Sequence, residues 1–336
     1  MTSRLRSAIP FPALVWFVAC GGGSTPPTNP TPPPTPTPQP SWSLGGTVVD
    51  AVSGTLVPGA SLAFSTVNQT QTTGSDGAWT LTGTGTATTR QAVTISAAGY
   101  LNYETGIRWE QAGRRDIQVA VIPDRAPFSL SYYREFVRNG MEEPASLRAL
   151  ARWTTTPNFY VNTFNPKTGQ PLEPAEVNLV VQAIRSAVPQ LTGGRFSAGA
   201  IDTGTTANPA RTDYINVSFI YEPDGEFCGQ ALVGANPGRI TINYDRCANV
   251  CGSLKVTPET IIHEVGHAMG FWHTNGQGVM SPSRVRSCGN VNFSSEEQLH
   301  ARVAYLRPRG NVDLDRDPET FSSLISGEPQ LVICRR

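Results

Sequence analysis

Residues 263 to 273 read H-E-V-G-H-A-M-G-F-W-H, and they hold three of the four histidines in the 336-residue chain. His263 and His267 are four apart, so on a helix they project from one face, one turn above the other. That spacing lets two imidazoles reach a single tetrahedral cation, for which zinc is the usual occupant. Glu264, one residue past the first His, sits near such an ion but is poorly aimed to ligate it. It is placed to hold a water that the ion polarises. Gly270 can leave the helix at positive φ, and the chain can then turn and bring His273 in as a third ligand.

The helix that must present these residues carries its own start signal. Thr257 can cap it, Pro258 fits the first helical position and Glu259 complements the dipole. Upstream, 158–163 alternates as a strand, and 174–188 has an amphipathic helical period through Val177, Val180, Val181, Ile184 and Val188. Residues 214–221 and 239–244 are strand-like. A last helix opens at the capping box Ser294-x-x-Glu297. A strand, a helix, further strands and then the His helix predict a mixed α/β arrangement over 158–336. A joining region, 124–157, contains a helix at 129–139.

The earlier part of the chain has a different texture. Short alternating segments at 46–51, 60–65, 78–82, 92–96 and 116–122, separated by Gly, Asp and Asn turns, predict a β-sandwich over 43–123. It contains neither Cys nor His, so its role is read as spacer or binding module. Before it, residues 25–40 hold nine prolines in sixteen positions. Such a segment favours polyproline II and at ~3.1 Å per residue spans roughly 50 Å, which makes 21–42 a stalk. At the N-terminus, Arg4 and Arg6 precede an apolar run at 9–19. This is shorter than the roughly 17–25 residues of a spanning helix and suits a signal peptide over 1–20. Phe17 to Cys20, followed by glycines, resembles the lipobox of bacterial lipoproteins, which implies acylation of Cys20.

Composition narrows the partners. Lys+Arg and Asp+Glu are equal at 26, so nothing argues for nucleic acid. Cys228, Cys247, Cys251, Cys288 and Cys334 lie in the C-terminal half, and in an oxidising compartment two bridges and one free thiol are expected. The C-x-x-x-C spacing of Cys247 and Cys251 could also suggest metal, without further ligands nearby to complete it. Asp313, Asp315 and Asp317 alternate in a way that could hold Ca2+, but the remainder of an EF-hand loop is missing, and solvated loop charge is the preferred reading.

Two larger resemblances follow. The segments G-G-T-V-V-D (45–50), T-G-S-D-G-A-W-T-L (73–81) and S-A-A-G-Y (96–100) resemble the carboxypeptidase regulatory-like family, implying a transthyretin/Ig-like all-β sandwich. H-E-x-x-H-x-x-G-x-x-H with Met280 seven residues later resembles the metzincin zinc peptidases, V-M-S-P being most similar to the matrixin branch. That resemblance implies an α+β zincin-like catalytic domain with a twisted mixed sheet above the active-site helix. It also implies one catalytic Zn2+ on His263, His267 and His273, with Gly270 and Met280 supporting the site. Arg239, Ile240, Thr241 and Ile242 become the candidate edge strand for pairing with substrate. The expectation is a monomeric metalloendopeptidase acting on protein or peptide substrates, with Glu264 as general base. It would be anchored by lipid at the outer membrane or cell surface, or secreted. The competing expectation is a catalytically silent zinc-containing surface protein that binds through the sandwich. Fatty-acid label supplied to producing cells should enter the wild-type chain and be absent from Cys20→Ser, as read by autoradiography of the purified protein.

Overall fold

In the computed structural model, the described residues are 41–85, 90–108, 115–248, 254–282, 288–289, 291–318 and 331–335. The signal peptide, Cys20, the stalk up to residue 40, and Cys251 lie outside them. Two hydrophobic cores organise the rest. The smaller gathers Leu44, Leu62, Phe64, Trp79, Leu81 and Ile95. It lies among the strands β1 (Ser41–Asp50), β2 (Ser61–Phe64), β3 (Gln69–Thr72), β4 (Ala78–Thr84), β5 (Arg90–Ser96), β6 (Tyr103–Arg108) and β7 (Ile117–Val121). They form a three-stranded sheet, β4-β1-β7, and a four-stranded sheet, β3-β2-β5-β6. Alternate burial along β5 (Gln91, Val93 and Ile95 in, Ala92 and Thr94 out) is the period-2 signature of a sheet with one covered face. β3, with the all-polar sequence QTQT, escapes hydrophobic-period reasoning because it is an edge strand with no buried residue.

The larger core belongs to a six-stranded sheet, in the order β13-β11-β12-β10-β8-β9. Its members are β8 (Asn158–Asn162), β9 (Ile201–Gly204), β10 (Tyr214–Ile220), β11 (Phe227–Leu232), β12 (Gly238–Asn243) and β13 (Leu331–Arg335). β9, β8, β10 and β12 run parallel, while β11 is antiparallel to both β12 and β13. The molecule is therefore β-rich and multi-sheet, with four helices among the described residues: α1 (Leu130–Arg138), α2 (Pro174–Leu191), α3 (Pro258–Ala268) and α4 (Ser295–Ala304). α2 and α3 pack together, and α3 lies against β11 and β12. The start signals read from the sequence are present: Thr257 Oγ1 accepts from Thr260 N–H at 3.1 Å, and Ser294 and Glu297 form a complete capping box. Among the described residues no helix is long and apolar enough to cross a membrane.

One expectation is corrected by the topology. Arg239 to Ile242 lie in β12, which is hydrogen-bonded to β10 on one side and β11 on the other. Its backbone groups are spent within the sheet, so it offers no edge to an extended peptide. The cysteine expectation is answered in part. Cys228 at the start of β11 is bridged to Cys247, and Cys288 is also disulfide-bonded.

The two cores are parts of one compact unit spanning 40–336. Ala51, Leu101 and Ile122, from the sandwich segment, belong to the larger core. The three acidic residues considered for calcium do their work at this junction. Asp313 accepts from Arg134 at 2.8 and 3.1 Å. Asp315 takes both ends of the Arg307 fork at 2.6 Å. Asp317 accepts from Tyr103 and Thr105 of β6 at 2.6 Å each, and from Asn311 at 2.9 Å. Burial works against the Arg307 charge, but the Asp315 carboxylate outweighs it and raises the guanidinium pKa. Both partners are about 1% exposed. Removing one member of a buried pair strands the other. Asp315→Ala should therefore cost about 3–5 kcal/mol in a denaturant melt.

Candidate metal centre

α3 begins at Thr257–Pro258 and buries every residue from Glu259 to Ala268. His263 and His267, one turn apart, bring their Nε2 atoms to 3.0 Å. The helix stops where the sequence requires. Gly270 has φ +110°, and a Cβ there would meet the Ala151 carbonyl carbon and oxygen at 2.9 Å. Its N–H returns to His267 O at 2.8 Å, and Phe271 N–H to Gly266 O at 3.1 Å. The reversed chain then delivers His273, whose Nε2 lies 3.2 Å from both of the others. Among the described residues this trio is the group whose ligand atoms could hold a metal ion. The ligand set read from the sequence is thus brought together by the fold.

The opposite ring nitrogens decide what the trio is for. His263 Nδ1 lies 2.7 Å from Val279 O, His267 Nδ1 lies 2.8 Å from Phe271 O, and His273 Nδ1 lies 2.5 Å from Glu142 Oε1. Carbonyl and carboxylate oxygens accept, so each Nδ1 donates and carries the proton. Each Nε2 is then left with a lone pair. Three lone pairs aimed into a space 3.0–3.2 Å across repel one another, and a cation reverses the sign of that interaction. Nitrogens bound at about 2.0–2.1 Å around a tetrahedral ion stand about 3.3–3.4 Å apart, so the trio matches three corners of a zinc site. The ligands are 0–2% exposed.

The neighbouring residues shape this pocket. Glu264 is fully buried, and a Cβ added at Gly229 of β11 would come within 2.5 Å of its Oε1. Only glycine lets that strand lie so close to the carboxylate. Met280 is buried against the helix at Gly266, where a Cβ would reach its sulfur at 2.4 Å. The turn holding Met280 is tied to α4, since Met280 N–H donates to Glu297 Oε1 at 2.7 Å. Thr274 N–H closes the loop on Met280 O at 3.1 Å. Glu142, Val279 O and Phe271 O are functional groups that sequence reasoning missed. The carbonyls carry no residue-type signal, and Glu142 is 131 positions from its partner. Gly266 between the two helical histidines was the one visible hint of a close approach.

Comparison with known proteins yields little. No protein-family model matches the chain, and no curated protein matches it. A DUF3823 family protein from Bacteroides ovatus is 14% identical with a TM-score of 0.21, covering 25% of this chain and 44% of that one. A candidate carbohydrate-binding protein from Bacteroides uniformis is 18% identical with a TM-score of 0.19, covering 24% and 41%. A candidate membrane-associated protein of unknown function from Bacteroides fragilis is 16% identical with a TM-score of 0.22, covering 52% and 47%. This chain spans less than half the length of each of the three.

The membership expected from the eleven-residue motif, a matrixin-like metzincin, is corrected, since no family model and no curated protein matches the chain, and the metzincin-type label is dropped from the fold. The carboxypeptidase regulatory-like assignment likewise finds no family match. With them go the metalloendopeptidase assignment and its hydrolase and protease vocabulary. A short motif fixes local geometry around a metal; it does not fix what the surrounding 300-odd residues do with it. Gly270→Ala should test that local geometry. An alanine there would have to adopt positive φ against the Ala151 backbone, so a loss of about 1–3 kcal/mol is expected in denaturant melts.

Proposed function

We propose that this chain is a zinc-containing cell-envelope protein. On this reading its metal fastens α3 to the turn that follows it, and its β-sandwich serves as a binding module at the surface. The observation that carries it is the convergence of His263, His267 and His273, whose Nε2 atoms lie 3.0–3.2 Å from one another while each Nδ1 faces an oxygen acceptor. The burial of all three ligands supports a metal held as an integral part of the fold, and three protein ligands leave its fourth position open. The Cys228–Cys247 bridge supports an oxidising compartment, in keeping with the lipobox-like Cys20.

Bound zinc would supply a Lewis acid and bring a water on its remaining position to a pKa of about 7. Glu264, buried next to the first ligand in sequence, is the chain's own carboxylate for holding the proton of such a water.

Metal analysis of the purified chain should find one zinc per molecule, and His263→Ala or His267→Ala should abolish it. Wild type and Glu264→Ala, incubated with a mixture of envelope proteins and compared by terminal-peptide mass spectrometry, should give identical peptides. A chain that takes up no zinc would overturn the metal reading. Cleavage present in wild type and lost in Glu264→Ala would overturn the binding reading while leaving the metal in place.

A further inference from the structure

We infer that Glu142 is the positioning residue of the metal centre, and that the joining segment before the six-stranded sheet is thereby part of the site. The inference rests on the zinc reading above. His263 and His267 are fixed by α3 and direct their Nδ1 protons to main-chain carbonyls. His273 lies past the end of the helix, where no helical register fixes it, and its Nδ1 has a charged partner, the Glu142 carboxylate at 2.5 Å.

The segment that carries Glu142 is built to hold it there. α1 ends at Asn139 in the left-handed region (φ 57°), with Gly140 N–H returning to Arg134 O at 2.8 Å. Glu143 N–H closes the following turn on Asn139 O at 2.8 Å, and its carboxylate pairs with Arg148 at 2.6 Å. The same helix grips the stretch around the third ligand on both sides. Phe136 stacks on Phe271 with ring centroids 4.4 Å apart, and Phe136 O accepts from Trp272 N–H at 2.8 Å. Glu135 accepts from the backbone and side-chain amides of Asn275 at 2.9 and 3.2 Å.

A carboxylate accepting from Nδ1–H does two things to a ligating imidazole. It fixes the ring so that the Nε2 lone pair faces the ion, and it makes that lone pair a better donor. The expected consequence is in affinity. Losing such a partner costs about 10–100-fold in metal binding. Glu142 is 39% exposed, so its replacement leaves no hole in the core.

The test is zinc affinity of the full chain, stripped with chelator and titrated against a chromogenic competitor, for wild type, Glu142→Gln and Glu142→Ala. Glu142→Ala should bind zinc about 10–100-fold more weakly. Glu142→Gln, whose amide oxygen still accepts from Nδ1–H, should recover part of the loss. Thermal midpoints of the three metal-free proteins should agree, and the visible bands of the Co2+-loaded Glu142→Ala chain should differ from wild type. Equal zinc affinity in all three would overturn the inference and leave the zinc site standing. A fall in affinity matched by a fall in the metal-free midpoint would also overturn it, since Glu142 would then serve only the fold. A wild-type chain that binds no zinc would instead be the failure of the underlying reading.

Discussion

Three imidazole Nε2 atoms held 3.0–3.2 Å apart in a buried place are the constraint that the C-terminal half is arranged to satisfy. Gathering three imidazoles in a buried place removes polar groups from water, which costs free energy unless the arrangement compensates it. The fold spends several of its less common devices on it: the positive φ of Gly270, the contact at Gly266 that admits Met280, and the Gly229 strand lying over Glu264. A side chain at Gly266 or Gly229 would push against Met280 or Glu264, and one at Gly270 against the Ala151 backbone where the helix turns toward His273. Their coincidence around one point argues that the arrangement serves a cation.

The supporting shell is drawn from distant parts of the chain. Val279 O, beside Met280, holds His263, and Glu297 of α4 holds the Met280 amide while completing its own helix cap. A single carboxylate therefore does two jobs, starting α4 and pinning the turn that orients a ligand. Glu142 does the corresponding work for His273 from the far side.

Local pattern was legible in the sequence and long-range partnership was not. Thr257, Pro258 and the i, i+4 histidines define α3, and Gly270 its end, because caps and helical period are written in neighbouring residues. The strands missed, β3, β6, β9, β11 and β13, are short or interrupted by polar residues and glycine, and are held by their neighbours in the sheet more than by their own pattern. β12 was found but misplaced, since period-2 alternation says that a strand exists and not which strands flank it. The family-level expectation failed at a similar scale. An eleven-residue motif constrains one helix and one turn, whereas membership is a property of the whole chain.

The same distinction alters how the sandwich is understood. Read from sequence, it is a separate module on a stalk. In the fold, its β6 strand hands Tyr103 and Thr105 to Asp317, and Asp317 and Asp315 both engage Asn311. Asn311 in turn accepts from Arg138 of α1 through its carbonyl at 2.8 Å and its side chain at 2.5 Å. α1 is the helix that aligns the third ligand through Phe136 and Glu135. The acidic stretch, read from sequence as solvated loop charge with calcium as the lesser alternative, is instead a strut between the sandwich and the larger core: Asp313 and Asp315 pair with arginines, and Asp317 accepts from Tyr103, Thr105 and Asn311. A strut made of paired charges tolerates little displacement, because moving either side exposes an uncompensated ion. The sandwich is consequently tied, through Asp317, Asn311 and Arg138, to the helix that frames His273.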